Sequence, residues 1–314
     1  MIQPLLRTLA MVCVMAMAAP SFAAGKVTLK KQEGKVAVHI DGELFTQYIF
    51  KGYEKPILYP VIGPHGIGMT RNWPMKKGVE GEAKDHPHHK SIWFGHMKVN
   101  GHSFWHVGNQ VEQTELTLED DTIKTQNKLK TKKGEVVATD TRVIRFWADG
   151  DNRFIEYNYT YHASEGDLKF GDNKDGQMGI RMNAQLRIKG KKAKGKAINS
   201  EGVTEKKIWG KRAKWVDYWG PVDGKVVGVA VFDHPTNFRH PTWWHARDYG
   251  LLSANPWGIH HFEKKKKHLG EHTLKKGESL TFRHLFVFHK GDYKEADVAG
   301  LYRKWVAQTT ESKK

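Results

Sequence analysis

Cysteine and long apolar runs are the scarcest features of this sequence. Cys13 is the only cysteine among the 314 residues, so the chain beyond it can form no disulfide, no thiolate metal site and no cysteine nucleophile. Past the N-terminal segment, no stretch approaches the ~18 consecutive apolar residues of a membrane-spanning helix. The sequence therefore predicts a protein that does not span a membrane and that depends on a large core for its stability.

The N-terminal segment has the parts of a secretory signal peptide. Arg7 is followed by an apolar stretch over residues 8–19 and then by Ser21-Phe22-Ala23, with small residues at the two positions that a signal peptidase inspects. We expect residues 1–23 to be removed, Cys13 with them, leaving a periplasmic or secreted chain of residues 24–314.

Acidic residues are outnumbered. The sequence has 51 Lys and Arg against 34 Asp and Glu, a formal net charge of +17. A positive excess of this size favours anionic partners. Because the protein is expected to be exported, nucleic acid is not a suitable partner. The remaining interpretations are an acidic glycan as partner and a basic surface that is simply solvated. With 39% hydrophobic and 11% aromatic residues, the composition excludes a disordered chain.

Most of the sequence alternates apolar and polar residues with period two, which is typical of half-buried strands. Strands are predicted at Lys26–Lys31, Lys35–Ile40, Glu43–Phe50, Lys55–Ile62, Val136–Phe146, Asn152–Tyr161, Gly179–Ile188, Val226–Phe232 and Leu280–His289. Asn100-Gly101 and Asp223-Gly224 are strong hairpin signals. Only Tyr293 to Gln308 has helical spacing. With neither a linker nor a repeat, residues 24–314 are predicted to form one large antiparallel β-sandwich with a C-terminal helix, a cupin-like barrel being the alternative.

Histidine is concentrated in two segments. Seven of the 18 histidines lie between His65 and His106, and five more lie between His234 and His261. Histidine is the natural proton carrier near neutral pH and a common metal ligand, so this clustering indicates a chemical site. We expect both segments to line one concave surface.

The first segment contains Asp85-His86-Pro87-His88-His89 in a loop or at a sheet edge, because Pro87 has no amide hydrogen. In an extended chain His86 and His88 would share one face and His89 the other. The catalytic candidates are His65, His86, His88, His89, His234 and Asp85. One of the three loop histidines would act as general acid or base with His65 or His234 opposite, and Asp85, Glu82, Asp233 or Asp248 would orient an imidazole or supply a carboxylate.

The second segment interleaves six tryptophans with Arg, Asp, Asn and His between Trp209 and Trp257. Flat aromatic faces beside fixed hydrogen-bonding groups are how proteins hold sugar rings. The predicted substrate-binding residues are Arg71, Arg239, Trp243, His245, Arg247, Asp248 and Asn255.

Several blocks resemble the PmoA-like family, labelled "methane oxygenase PmoA", which consists mainly of exported proteins of environmental bacteria. The blocks are Arg71-Asn72-Trp73-Pro74, Asp85-His86-Pro87-His88-His89, Asn100-Gly101 with Phe104-Trp105, Arg212-Ala213-Lys214-Trp215, Asp233-His234-Pro235 and Arg247-Asp248-Tyr249-Gly250-Leu251. The resemblance implies an association with sugar-processing enzymes. The family label implies an oxygenase.

A more distant resemblance concerns the fold. His86-Pro87-His88-His89 followed by Gly95 and Phe104-Trp105 is similar to a histidine block of galactose mutarotases, although Lys90-Ser91 replaces the two glycines of that block. This resemblance implies a galactose mutarotase-like supersandwich whose histidines and a carboxylate move protons on a sugar.

The leading hypothesis is an exported carbohydrate-active enzyme that uses histidine acid–base chemistry for hydrolysis, elimination or epimerisation. One alternative is a divalent-metal enzyme in which His86 and His88, with His65, His96 or a carboxylate, bind Zn, Mn or Fe. Another is a glycan-binding protein without catalysis.

Overall fold

The computed structural model describes residues 25–311, so the predicted signal peptide lies outside the described residues. Within that range the chain is mostly β. The strands are β1 Val27–Gln32, β2 Lys35–Ile40, β3 Glu43–Ile49, β4 Ile57–Val61, β5 Ile92–Phe94, β6 Gln110–Glu119, β7 Thr122–Lys130, β8 Val136–Asp149, β9 Asn152–His162, β10 Leu168–Phe170, β11 Met178–Arg181, β12 Lys196–Asn199, β13 Trp215–Val222, β14 Lys225–Asp233, β15 Trp243–Trp244, β16 Leu251–Asn255, β17 His272–Leu274 and β18 Ser279–Lys290. The α-helices are α1 Ile259–Glu263 and α2 Val298–Glu311, and short 3-10 helices cover Pro64–Gly66, Ala184–Leu186 and Glu205–Ile208.

Two eight-stranded antiparallel sheets form the sandwich. The first has the order β1-β2-β3-β4-β5-β11-β16-β15, and the second has the order β12-β13-β14-β18-β9-β8-β7-β6. Strands β10 and β17 form a separate small antiparallel pair. The predicted antiparallel β-sandwich is therefore confirmed.

The main core lies between the inner faces of the two sheets, where aromatic rings from both interlock. Phe45 of β3 meets Phe146 of β8 edge-on at 6.3 Å between ring centroids, and Phe94 of β5 stacks on Tyr159 of β9. Helix α2 covers the outer face of the second sheet, with Tyr302 and Trp305 packed against it. The predicted C-terminal helix is thus confirmed, and it starts five residues later than the sequence pattern indicated.

Most predicted strands are present with small shifts at their ends. The prediction at Gly179–Ile188 was wrong in its second half, because β11 ends at Arg181 and a 3-10 turn follows in which Asn183 accepts from the Gln185 amide. The Asp223-Gly224 hairpin is confirmed between β13 and β14, and both residues have positive φ. No helix within residues 25–311 is long and apolar enough to cross a membrane.

A buried His–Asp pair crosses the second sheet and makes stability dependent on pH. His289 Nε2 lies 3.0 Å from Asp217 Oδ1, and both side chains are inaccessible to solvent. Burial opposes protonation of His289, but the Asp217 carboxylate outweighs it and raises the His289 pKa above the ordinary value of 6.5. The pair therefore stabilises the protein fully below about pH 6.5, and this stabilisation is lost as the pH rises through the folded-state pKa.

We accordingly expect the free energy of unfolding in urea to fall as the pH is raised from about 6 to about 9. His289→Gln should remove this part of the slope, although it also lowers stability at every pH. Equal slopes for the wild type and His289→Gln would contradict this account of the pair.

Candidate active site

A cavity of about 360 Å³ lies on the outer face of the first sheet, opposite the main core. We call it the histidine cavity. Its lining is rich in imidazoles and comprises His86, His88, His89, His106, Lys174, Asp175, His245, Arg247, Tyr249 and Leu251. Both histidine-rich segments of the sequence contribute to this lining, the first through His86, His88, His89 and His106 and the second through His245 and Arg247.

Strand register explains how distant residues meet here. Side chains alternate between faces along a strand, so Ile92 and Phe94 point to the main core while Trp93 points outward. Trp93 is paired with Gly179 of β11, and Gly179 is paired in turn with Ser253 of β16. The backbone of His245 bonds to that of Ser253 and so extends the row. At Gly179 a Cβ atom would come within 2.6 Å of the Trp93 ring, so the glycine lets this ring lie against the sheet.

His86, His88 and His89 lie in a tight turn, not in the extended segment that the sequence suggested. His86 has a positive φ of 42°, and the amide of His89 donates to the carbonyl of His86 at 2.9 Å. The turn folds the ring of His86 over that of His89, with 4.8 Å between centroids and 7° between planes. The prediction that His86 and His88 share one face with His89 on the other was therefore wrong, since all three line the same cavity.

The turn is part of a column of four stacked rings. Tyr249 stacks on His86 at 5.4 Å, His86 on His89, and His89 on Trp93 at 5.1 Å. Trp93 belongs to the sheet, so the column fixes the imidazole planes of the turn relative to the first sheet.

Asp85 holds the turn in place electrostatically. Its carboxylate accepts from Arg71 at 2.6 Å, from Arg181 at 3.0 Å and from His86 Nδ1 at 2.8 Å. Burial would raise the pKa of Asp85, but Arg181, His86 and Arg71 outweigh it and lower this pKa to about 2. Asp85 is therefore ionised at neutral pH and accepts from His86 Nδ1, so Nε2 is the His86 ring nitrogen left to exchange a proton with a ligand.

His89 is a buried group whose role differs from that of His86. Its side chain is only 2% exposed, and its Nδ1 accepts a hydrogen bond from Arg181 Nη1 at 3.0 Å. Burial, followed by the neighbouring histidines and arginines, lowers the pKa of His89 far below its usual range. The ring is neutral, with its proton on Nε2, so it can donate a hydrogen bond but does not serve as a base at neutral pH.

The other histidines of the cavity are also neutral. Burial lowers the pKa of His88 and that of His245 to about 3 each, and it lowers the pKa of His106. His245 Nδ1 donates to the carbonyl of Lys174 at 3.0 Å, while its buried Nε2 has no partner in the described part of the chain. The cavity therefore presents fixed imidazole donors and acceptors with little positive charge of their own.

The opposite wall carries an ion pair and a phenol. Lys174 Nζ lies 2.9 Å from Asp175 Oδ1, and Asp175 is also 3.8 Å from His245 Nδ1. Burial would raise the Asp175 pKa, but Lys174, His245 and His106 lower it on balance, so this carboxylate is ionised. Burial raises the pKa of Tyr249, which therefore keeps its phenolic proton at neutral pH.

Three catalytic candidates thus reach the cavity wall, and Asp85 supports them. His65 does not join them: it is exposed in the turn Pro64–Gly66 and faces a separate cavity with Lys225 and Lys290. His234 follows β14 of the second sheet, and its nitrogens lie within 2.8 Å of the hydroxyls of Thr236 and Thr309. The expectation that His65 or His234 stands opposite the loop histidines was wrong, because His65 lines a different cavity and His234 contacts helix α2.

Of the predicted substrate-binding residues, only His245 and Arg247 line the cavity. The guanidinium of Arg71 donates to the Asp85 carboxylate and to backbone carbonyls of the loop from Ala83 to His89. Arg239 donates to the carbonyls of Pro256, Gly270 and Glu271. Both arginines therefore hold backbone in place.

The remaining three candidates also lie outside the lining. Trp243 donates to Glu263 and is covered by Arg212 at 4.4 Å. Asn255 bonds to the backbone of Asn173 and Trp257, and the carbonyl of Asp248 accepts from two amides. Trp215, Trp243, Trp244 and Trp257 are buried, so these four rings offer no open face to a sugar, whereas Trp209 and Trp219 are half-buried and lie outside the cavity lining.

The alternative carboxylates Glu82 and Asp233 and the alternative metal ligand His96 lie outside the cavity lining. Glu82 accepts from the amides of Asn72 and Trp73, and Asp233 is buried against Asn237 and His240. His96 is buried and bonds to the carbonyl of Gly171. No group of three or more His, Cys, Asp or Glu side chains in the described ranges is arranged to hold a metal ion.

Sequence reasoning missed four polar residues of the cavity, His106, Lys174, Asp175 and Tyr249. His106 and Tyr249 lie within or beside blocks that the sequence singled out. Lys174 and Asp175 lie in an ordinary polar turn before β11, and no local motif marks them. Lys55 was missed as well, and its buried amine donates to the carbonyls of Trp105 and His106. It fixes the segment that carries His106.

These features define an antiparallel β-sandwich protein with a histidine-lined cavity on the outer face of one sheet. By sequence, the chain belongs to DUF6807, a family of unknown function, whose model matches residues 35–303. No curated protein matches the sequence. The family match gives no support to the PmoA-like resemblance.

Similar solved structures include three carbohydrate-related proteins. One is the GH36 α-galactosidase of Geobacillus stearothermophilus, with 10% identity, a TM-score of 0.39 and coverage of 85% of this chain and 41% of that one. A galactose mutarotase-related enzyme of Lactobacillus acidophilus has 8% identity, a TM-score of 0.35 and coverages of 84% and 97%. A polysaccharide lyase has 13% identity, a TM-score of 0.33 and coverages of 87% and 33%. This chain thus spans less than half of the α-galactosidase and of the lyase.

Proposed function

We propose that the protein is an exported carbohydrate-active enzyme in which His86, oriented by Asp85, transfers a proton to or from a sugar in the histidine cavity. The proposal rests on one observation: His86 lines the cavity while its Nδ1 is bonded to Asp85. The second ring nitrogen of His86, Nε2, is therefore left to contact the substrate. A carboxylate behind an imidazole fixes its orientation and stabilises the imidazolium that forms when the ring takes a proton.

Two groups could complement His86 across one bound sugar. Tyr249, stacked on His86, keeps its proton and can deliver it to a leaving oxygen or a carbanion. Asp175 stays ionised and can accept from a sugar hydroxyl or stabilise developing positive charge. Elimination, epimerisation and hydrolysis of sugars all use such a set of groups. The proposal therefore covers all three reactions, which share proton transfer to or from the sugar.

The neutral histidines supply the polar contacts that a sugar needs. His89 offers an Nε2 proton to a hydroxyl oxygen, while the buried His245 Nε2 accepts from a hydroxyl. A volume of about 360 Å³ lies at the lower end of the range for small-molecule sites, so we expect it to hold one sugar unit or the end of a chain.

The test is direct incubation of the purified protein with neutral and acidic oligosaccharides, with products followed by NMR and mass spectrometry. We expect conversion of at least one class, unchanged after complete removal of divalent metals. Binding with no product after long incubation would instead favour a glycan-binding protein. Activity that is lost on metal removal and restored by Zn, Mn or Fe would favour the metal alternative.

A further inference from the structure

The arginines beside the histidine cavity differ in what their guanidinium groups already bind. Arg71 is occupied by Asp85 and by four backbone carbonyls. Arg181 donates to Asp85 and to His89. The donors of these two guanidinium groups are therefore largely bonded within the protein, and few of them remain to bind a ligand.

Arg247 is placed at the wall without such partners. Its backbone closes the tight turn to Gly250 and bonds to Leu251, so the Cα position is fixed. The side chain is partly exposed, and its guanidinium lies 5.1 Å from the ring centroid of Tyr249. Within residues 25–311 this guanidinium donates no hydrogen bond and forms no ion pair.

The rest of the lining does not neutralise Arg247. Asp175 is paired with Lys174, so the two charges compensate each other. Three of the five histidines carry lowered pKa values of about 3 or below and add no charge at neutral pH. The lining therefore has one uncompensated cation, a planar fork of donors suited to a carboxylate.

We propose that the sugar bound in the histidine cavity carries a carboxylate and that Arg247 binds it, so that the substrate class is uronic acid residues. This inference rests on the proposed function and narrows it. A carboxylate next to the sugar carbon that loses its proton makes that proton more acidic, and pairing with a guanidinium strengthens the effect. Arg247 would then both select the substrate and support proton removal by His86. The net charge of +17 would add attraction for an acidic chain.

The experiment measures binding by calorimetry at low salt. The ligands are galacturonate, glucuronate, a short oligogalacturonate, its carboxyl-reduced counterpart and glucose 6-sulfate. The proteins are the wild type, Arg247→Gln, Arg247→Lys and a control, Arg303→Gln, which removes the same charge from the exposed surface of α2.

We expect at least one uronate to bind the wild type more tightly than its neutral counterpart. Arg247→Gln should weaken that binding by about 10- to 100-fold, the scale of losing charge-assisted hydrogen bonds, and should abolish the preference over the neutral ligand. Arg247→Lys should retain part of the affinity, and Arg303→Gln should retain all of it. The assignment is overturned if uronates bind Arg247→Gln as tightly as the wild type, if glucose 6-sulfate binds as tightly as glucuronate, or if no uronate binds at millimolar concentration.

Turnover measurements separate this inference from the proposed function. If uronates bind through Arg247 but no protein converts them, the enzyme proposal fails and the carboxylate assignment stands. If the wild type and Arg247→Gln convert a neutral glycan at equal rates, the enzyme proposal stands and the carboxylate assignment fails.

Discussion

Replacing His86 with glutamine is expected to lower turnover by about 10²-fold or more, the scale of losing a proton-transfer group. Glutamine can still bond to Asp85, but it cannot change its protonation near neutral pH. Because His86 is 41% exposed, most of the folded structure should tolerate its loss. The measurement is turnover per folded molecule, with the folded fraction checked by circular dichroism.

Two further variants make this test specific. His86→Asn also lacks a titrating group, and asparagine tolerates the positive φ of 42° at this position better than most residues do. His65→Gln is the matched control, since His65 also has a positive φ, of 60°, but faces a different cavity. We expect His86→Asn to lose activity and His65→Gln to keep it. Full activity in both His86 variants would show that another group moves the proton.

Local sequence patterns predicted those parts of the fold that local physics determines. The Asp223-Gly224 turn needs two residues at positive φ, and the sequence places suitable ones there. Strands β6 and β7 were not predicted, although β7 alternates between buried and exposed positions. Two of the buried positions of β7 hold the polar residues Thr125 and Asn127. The alternation of buried and exposed positions is therefore not visible as an alternation of hydrophobic and polar residues in the sequence.

The candidate site was predictable in its residue types and only partly in its members. Histidine clustering correctly brought His88 and His245 to one cavity. The row that joins them, Trp93 to Gly179 to Ser253, depends on pairing between strands far apart in the chain. His65 shares the loop-like Gly and Pro context of His86, His88 and His89 but lines another cavity. Such context predicts a loop, but it does not predict which face of the sandwich the loop serves.

The same limit applies to His89, for which the sequence predicted only a position in a loop or at a sheet edge. In the structure His89 is buried between His86 and Trp93 and accepts from Arg181. His89→Ala should therefore lower the free energy of unfolding by about 2 to 4 kcal/mol, through a cavity beside Trp93 and an Arg181 donor left without its acceptor. Urea denaturation at neutral pH measures this loss.

His88→Ala provides the matched comparison within the same turn. His88 is half-buried, and neither of its ring nitrogens forms a hydrogen bond to another described residue. The ring of His88 meets those of His89 and His106 edge-on at 4.4 Å, but its removal breaks no hydrogen bond, so it should cost only about 1 kcal/mol. The contrast between the two neighbouring variants is the expected result, because it follows from the stacked column and the Arg181 bond alone. If both variants lost equally little free energy of unfolding, the stacked column would not hold the turn. His86 would then lack the fixed orientation that it needs as a base.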